Sequence, residues 1–327
     1  MSFSWGEPTI RDFSKSREGR LYLGTLFDFE ALPPPILDIC PTNKEVNKAV
    51  LGRALELALQ LVIQRQNRNF DFEISFERGK PDFRTKKGRE SKYYLDSGEL
   101  TGTLLSRVID LANKQQKSFL VERSRSKFRA TDALKEELQR VHDVASKLDW
   151  SIKKLFFQGR ISSGFVAANA DLILDRCLIE TKTTQDAKRH SEHLSQLFTY
   201  YLLSQAPVRR SRSFEIDQVG IYYARHGVLI KESVSNLATF PMERIKRVAF
   251  DFMLEFSRWK RRKIGNADED LTERSAIIEA LREVDPPPEW ARTALANPYK
   301  EVRTRQSSYV TPRKIQLPSN FLLGNNP

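Results

Sequence analysis

The chain has 327 residues, and its 54 Lys and Arg residues outnumber its 42 Asp and Glu residues, which gives a formal net charge of +12. Hydrophobic residues make up 40% of the sequence and charged residues 29%, a globular balance that excludes wholesale disorder. The two cysteines exclude a disulfide framework and a four-thiolate zinc or iron–sulfur site.

The N-terminal sequence has no apolar signal region, and no apolar run approaches the roughly 20 residues that span a bilayer. We therefore expect a cytoplasmic protein that has no membrane contact. A positive net charge favours polyanionic partners, and nucleic acid is the first of these.

Three regions are expected along the chain. Residues 1–42 should form an irregular N-terminal lead-in, because adjacent prolines at 33–35 oppose a helix. Residues 43–264 should form one folded domain, with a helical insertion at about 101–160. Residues 265–327 should form a wrapping or disordered C-terminal arm.

The first predicted helix covers 43–66 and is apolar around most of its circumference. Its polar exceptions, Gly52, Glu56, Gln60 and Gln64, recur every four residues and form one narrow stripe. A helix of this kind is mostly buried, with one face toward a groove or solvent.

Further elements follow from hydrophobic periodicity. We expect a strand at 71–76, a basic loop after it, and helices over 101–155. The later pattern predicts strands at 170–174, 177–183, 218–224 and 228–232, and helices at 192–204 and 242–263.

The two strands around Asp175-Arg176 carry the chemistry of the sequence. A two-residue hairpin turn at this pair places Asp171 opposite Glu180, with Cβ atoms about 4.5–5.5 Å apart. Lys182 is two residues beyond Glu180 and therefore shares its face. The pairing predicts two carboxylates and one ammonium group on one side of a hairpin.

Directly opposed carboxylates destabilise a sheet unless a cation lies between them. The alternative is a surface hairpin with an ordinary salt bridge, but both strands are apolar on both faces, which is typical of a buried sheet. Carboxylate oxygens favour Mg²⁺ or Mn²⁺. Such an ion can polarise a phosphoryl oxygen, and a lysine can orient water and offset negative charge.

Asp171 together with Glu180-Thr181-Lys182 resembles the D…(D/E)xK signature of the PD-(D/E)XK nuclease superfamily. The helix that follows contains Gln196 and Tyr200 at i, i+4 spacing, which is similar to the Q-L-x-x-Y helix of the RecB-like branch. The resemblance covers scattered blocks from about 50 to 65 and a denser block from about 164 to 230.

A second similarity lies upstream, where Gly52-Arg53-Ala54-Leu55-Glu56 resembles the Gly-x-x-x-His segment of RecB-like nucleases. Many relatives have an acidic residue at the histidine position. By this resemblance Glu56 would complete a metal site, with Glu136 or Glu137 as the fallback. The proline that precedes the motif aspartate in some members is replaced by Ala170.

The resemblance implies an α/β fold with a restriction-endonuclease-like core, a central mixed sheet flanked by helices. It implies that Asp171 and Glu180 are catalytic and bind Mg²⁺ or Mn²⁺ with Glu56 and a backbone carbonyl of Ile179 or Thr181. Lys182 would position the water, and Gln196 and Tyr200 would hold the substrate backbone.

Other polar and basic residues are weaker candidates. His193 could contact a substrate phosphate, whereas the other three histidines are expected to be solvated or to cap or end elements. Aromatic residues that could stack on bases are Tyr93, Tyr94 and Trp259. Basic residues that could neutralise phosphates are Arg84, Lys86, Lys87, Arg89, Arg209, Arg210, Arg258 and Arg261.

The sequence therefore predicts a metal-dependent nuclease that hydrolyses DNA phosphodiester bonds, with RNA as the alternative substrate. Roles in anti-phage defence, restriction or DNA repair fit this prediction. The competing hypothesis is a non-catalytic nucleic-acid-binding or structural subunit of a larger complex. A protein partner or homo-oligomer fits either hypothesis.

Overall fold

A five-stranded mixed sheet lies at the centre of the fold. In the computed structural model the described residues are 8–36, 48–67, 93–119, 132–150, 155–163, 166–184, 190–206 and 214–264. The strands are adjacent in chain order: β1 (Leu155–Ser163), β2 (Val166–Leu174), β3 (Cys177–Lys182), β4 (Gln218–Tyr223) and β5 (Val228–Ser233).

The sheet contains one parallel pair of neighbouring strands and three antiparallel pairs. β1, β2 and β3 form an antiparallel meander, β4 is parallel to β3, and β5 returns antiparallel to β4. A parallel pair needs a crossover connection, and here the crossover contains a helix at His190–Gln205. The sheet is therefore mixed, as the sequence analysis expected.

Helices cover both faces of the sheet. In chain order they include α1 (Ile10–Lys15), α2 (Arg17–Leu26), α3 (Lys48–Gln66), α4 (Gly102–Phe119), α5 (Asp132–Ser146), α6 (His190–Gln205), α7 (Val234–Leu237) and α8 (Ile245–Ile264). A 3₁₀ turn at Met242–Arg244 precedes α8.

Two apolar cores separate the helices into two layers. One core joins α1, α2, α6 and α8 to the sheet and buries Phe13, Phe27, Phe198, Phe252 and Trp259. The other joins α3, α4 and α5 to the opposite face and buries Leu55, Ile109, Leu138, Trp150 and Tyr222. The sheet is thus covered on both sides, which explains why its inner strands are apolar on both faces.

The irregular lead-in predicted for residues 1–42 is wrong over the described residues 8–36. Thr9 and Asp12 form a capping box at the start of α1, and the Ser16 hydroxyl accepts from the Gly19 N–H at 2.9 Å to cap α2. Phe13 and Phe27 are fully buried. α2 ends at Leu26, well before the prolines at 33–35, so the two caps start helices upstream of the segment that the prolines keep irregular.

The prediction that a helix continues to residue 155 is also wrong. α5 ends at Ser146, and Leu155 begins β1. The Gln66 side chain donates to the carbonyls of Ser146 and Leu148 at 3.2 and 2.9 Å and accepts from the Trp150 N–H at 2.9 Å. A tertiary partner thus satisfies the polar groups at the helix end, which lets the chain leave the helix there.

The remaining predicted elements from residue 166 onward are confirmed within a few residues at each end. The predicted strand at 71–76, the basic loop at 78–92 and the C-terminal arm lie outside the described residues. Among the helices that the structure describes, none combines the length and apolar character that crossing a membrane requires.

Candidate metal and phosphate site

The β2–β3 hairpin forms in the predicted register, with Leu172 paired to Ile179 and Leu174 to Cys177. Asp175 adopts a positive φ of 50°, which a turn of this kind requires and which Asp tolerates better than most residues. The paired residues of this ladder end at Leu172 and Ile179, and the same register continued by one residue would bring Asp171 level with Glu180. The two carboxylates are close enough to interact electrostatically.

Asp171 is held by the backbone of the neighbouring strand. Its Oδ2 accepts a hydrogen bond from the Thr181 N–H at 2.8 Å. Burial raises the pKa of the Asp171 carboxyl well above its usual value, and the Glu180 and Glu56 carboxylates raise it further. The Lys182 ammonium and the Thr181 N–H oppose this rise. The free chain therefore holds a carboxyl that is costly to ionise unless a cation compensates it.

Lys182 links the hairpin to α6. Its Nζ donates to Glu180 Oε1 at 2.7 Å and to Gln196 Oε1 at 2.9 Å. Gln196 Nε2 in turn donates to the Tyr200 hydroxyl at 2.8 Å. Burial raises the pKa of Tyr200, and the Glu180 carboxylate adds to this, so the phenol stays neutral. The chain of bonds fixes the position of the ammonium group.

Glu180 is the most buried acid of this cluster, with only 3% of its side chain exposed. Its second oxygen, Oε2, is buried and has no hydrogen-bond partner within the described residues. A buried carboxylate oxygen without a partner carries a desolvation cost of several kcal/mol in principle, roughly 1–3 in mutational data. A ligand that offers positive charge at this atom would remove that cost.

Glu56 projects from the opposite helix layer and acts electrostatically on both Asp171 and Glu180. Its carboxylate is paired with Arg53, one turn earlier on α3. Burial raises the pKa of Glu56, and Arg53 opposes the rise. The polar stripe predicted on this helix thus faces the end of β3, where an added Cβ at Gly52 would lie 3.4 Å from Thr183 Oγ1.

The two fallback acids lie elsewhere. Glu137 is paired with Arg225 at 2.8 Å and with Arg140 at 2.9 Å, which ties α5 to the end of β4. Glu136 is exposed on α5. The acids that raise the pKa of Asp171 are Glu180 and Glu56, and the role of Glu136 or Glu137 as the fallback for Glu56 stays a prediction.

The donor set suits a hard divalent cation. Asp171, Glu180 and Glu56 would supply carboxylate oxygens, and Thr181, whose carbonyl was predicted to bind the metal, lies on the same strand as Glu180. In the described part of the chain, no group of three or more His, Cys, Asp and Glu side chains is arranged so that it could hold a metal ion. Two of the acids are instead paired with Lys182 and Arg53. The unpartnered Glu180 Oε2 shows that these internal partners satisfy the acids only in part.

His193 lies beside the cluster, partly buried on α6, three residues before Gln196. Its Nδ1 is 3.5 Å from the hydroxyl of Tyr223, which pairs with Lys182 across β3 and β4. The same hydroxyl is 2.6 Å from Nδ1 of His190, which is buried and also reaches the Leu32 carbonyl at 3.0 Å. The expectation of a solvated or capping role for His190 is therefore wrong.

The prediction that aromatic residues stack on bases is wrong for two of the three residues. Trp259 is 3% exposed and packs 5.3 Å from Phe13. Tyr94 is fully buried and its hydroxyl is 2.7 Å from His142 Nε2. Tyr93 is 48% exposed and stays a prediction.

Most of the predicted phosphate-neutralising residues cannot be placed. Arg258 is described and is paired with Glu255 at 3.2 Å on α8. The others lie outside the described residues or, for the last of them, carry a side chain that is not described: Arg84, Lys86, Lys87, Arg89, Arg209, Arg210 and Arg261.

Arg53 is a site residue that the sequence analysis missed, although its i, i+3 spacing to Glu56 was visible. The sequence analysis did not single out the cations of α1, because it predicts an irregular segment where this helix lies. Comparisons of the chain with protein-family models, with curated proteins and with solved structures found no match.

Proposed function

We propose that this protein is a metal-dependent nuclease that hydrolyses the phosphodiester bonds of DNA. The observation that carries the proposal is the buried cluster of Asp171, Glu180 and Lys182, in which Glu180 Oε2 has no partner among the described residues. Acids placed this way are costly for stability alone. A divalent cation bound to the acids, with a substrate phosphate beside it, would account for their placement.

The chemistry follows from the donor set. Asp171, Glu180 and Glu56, with the Thr181 carbonyl, would hold Mg²⁺ or Mn²⁺. The ion would supply Lewis-acid stabilisation of the phosphoryl oxygens and a lowered pKa for a bound water. Arg53 would have to yield part of the Glu56 carboxylate to the ion.

Lys182 supplies the charged donor at the reacting phosphate. With Glu180 engaged as a metal ligand, Lys182 would keep its bond to Gln196 and its ammonium group would be free to face the substrate. It can then orient the attacking water and offset negative charge in the transition state. Because Gln196 and Tyr200 are both buried, they support the proposal as residues that position Lys182 rather than as direct contacts to the substrate backbone.

The order of elements is compatible with a restriction-endonuclease-like core. A helix that carries Glu56 precedes an antiparallel meander, and a crossover helix then leads to a parallel strand. We extend the proposal to this core and to a role in anti-phage defence, restriction or DNA repair. The net charge of +12 supports a polyanionic substrate of this kind.

The test is incubation of the full-length protein with supercoiled plasmid and with linear single- and double-stranded DNA, in Mg²⁺, Mn²⁺ or EDTA. We expect cleavage in the presence of metal and none in EDTA. An Asp171→Asn variant should lose cleavage, whereas the matched variant Asp175→Asn, in the exposed turn, should keep it. Failure of the wild-type protein to cleave any of these substrates would favour the non-catalytic binding subunit.

A further inference from the structure

Helix α1 presents two cations on one side. Arg11 and Lys15 are four residues apart, a spacing that places side chains on the same helical face. Both are exposed, whereas Phe13 and Ser14 between them are fully buried. α1 packs against α6 and β2, the elements that carry Gln196 and Asp171. The buried residues thus anchor the helix next to the candidate site and leave the two cations in solvent.

The two cations lie within electrostatic reach of the candidate site. Arg11 acts on the Tyr200 phenol, which is bonded to Gln196. Burial lowers the pKa of the Lys15 ammonium group, and repulsion by Arg11 and Lys182 lowers it further, while Glu192 and Asp12 oppose the shift. Three positive groups, from α1 and from β3, therefore share one region.

Glu192 and Asp12 act electrostatically on Lys15, but neither forms a salt bridge with the α1 pair. Neither Arg11 nor Lys15 has a carboxylate within salt-bridge distance in the described segments. The nearby acids are engaged elsewhere: Asp12 accepts from Thr9 at the cap of α1, and Glu192 is paired with Arg20 at 2.8 Å. A group of like charges with no counterion destabilises the free protein and favours an anion.

We propose that Arg11 and Lys15 bind a backbone phosphate of the nucleic acid next to the phosphate that is cleaved. The proposal rests on the proposed function and specifies how the substrate is held there. An arginine can grip two phosphate oxygens at once, and a lysine one turn away adds a point charge. Contacts of this kind fix the position of the strand without reading its sequence.

The proposal is tested by DNA binding in EDTA, where cleavage plays no part. A short fluorescein-labelled DNA duplex and its single strand serve as probes, and anisotropy is followed over a range of KCl concentrations. For the double variant Arg11→Gln/Lys15→Gln we expect about tenfold weaker binding and a salt dependence that is shallower by about 1–2 in log–log slope, the change expected for one or two lost phosphate contacts.

The matched control is Arg176→Gln/Lys231→Gln, which also removes one arginine and one lysine. Arg176 lies in the hairpin turn, and Lys231 is an exposed residue of β5 that acts on Cys177 at the start of β3. We expect this variant to bind as the wild type does. Circular dichroism and thermal melting check that both variants fold.

The outcomes separate this proposal from the nuclease proposal. Unchanged affinity and unchanged salt slope in a folded Arg11→Gln/Lys15→Gln variant would overturn the phosphate contact, even if the wild type cleaves DNA. A selective loss of binding would support the contact even if the wild type cleaves nothing. If cleavage occurs, the variant's rate should fall at low DNA concentration and recover at saturation.

Discussion

The β2–β3 hairpin and helix α1 both bring charged residues close to Lys182, but by different means. In the hairpin, a turn at Asp175 sets the register, and Asp171 interacts with Glu180 across a separation of only nine positions in the chain. Helix α1 reaches the same region through contacts with residues far away in the sequence, such as the packing of Phe13 on α1 against Phe252 on α8.

The difference shows which parts of a site can be derived from sequence. Residues joined by a short turn have neighbours fixed by strand geometry alone. The position of α1 depends instead on which apolar surface accepts Phe13, and this is decided by α8 and by the whole layer around it. The question is then whether the packing of α1 against α8 is as stable as the β2–β3 hairpin.

The largest expected effect on stability concerns the anchor of α1. Phe13 lies 5.8, 5.8 and 5.3 Å from the rings of Phe252, Phe256 and Trp259. Phe13→Ala should lower the free energy of unfolding by about 3–5 kcal/mol, because it removes a fully buried ring and leaves a cavity.

Urea unfolding followed by circular dichroism measures this change. The control is Leu21→Ala on α2, whose side chain is 63% exposed and should change stability by no more than about 0.5 kcal/mol. If Phe13→Ala lowers the free energy of unfolding as little as Leu21→Ala does, the N-terminal helices do not dock as described.

A second prediction concerns the acid in the hairpin. The raised pKa of Asp171 means that the folded chain holds this proton more tightly than the unfolded chain does. The protonated Asp171 carboxyl therefore contributes its full stability below its pKa in the unfolded chain, about 3.9. This contribution is lost as the pH rises through the pKa of the same carboxyl in the folded chain. In EDTA at neutral pH, Asp171→Asn should raise the Tm, since it removes a charge that is costly to bury.

The gain in Tm should shrink as the pH is lowered, because the wild-type carboxyl then becomes neutral too. Asp175→Asn is the control, since this aspartate is exposed in the turn and its replacement should show no such pH dependence. A Tm for Asp171→Asn that lies below wild type by a constant amount at every pH would contradict the buried, acid-crowded environment of Asp171.

The smallest expected effect concerns a link between the two regions. Tyr223 contacts His190, and His190 contacts the Leu32 carbonyl of the N-terminal segment. Tyr223→Phe leaves the buried His190 Nδ1 without a partner, and we expect a loss of about 1–2 kcal/mol in urea unfolding. Tyr93→Phe removes a hydroxyl from an exposed pair with Glu99 and should cost less than about 0.5 kcal/mol. Equal losses of stability in Tyr223→Phe and Tyr93→Phe would show that the contact between Tyr223 and His190 does not stabilise the fold.

Much of the fold on the C-terminal side of residue 166 followed from periodicity and turn chemistry. The end of α5 did not, because Gln66 from a distant helix satisfies the carbonyls there. Trp259 and Tyr94 were predicted to stack on bases because both lie next to charged residues. The local sequence is the same whether such a ring faces the core or solvent. Only the docking of α1 and the packing of His142 show that both are buried.

Within the candidate site, the hairpin residues and Lys182 were predicted in their observed register, but their partners were not. Gln196 was expected to face substrate, and the structure instead places it between Lys182 and Tyr200. The i, i+4 pattern gave the shared face of the helix but not the distance to β3. That distance depends on how α6 crosses the sheet.

The most direct test of the central claim measures DNA cleavage and DNA binding together in Lys182→Ala. With Mg²⁺ or Mn²⁺ we expect cleavage to fall by at least about 10²–10³-fold, the usual cost of removing a donor that stabilises transition-state charge. Binding in EDTA should stay close to wild type, and Lys231→Ala should cleave normally. Wild-type cleavage by a folded Lys182→Ala protein would contradict the assignment of the carboxylate–lysine cluster as the nuclease site.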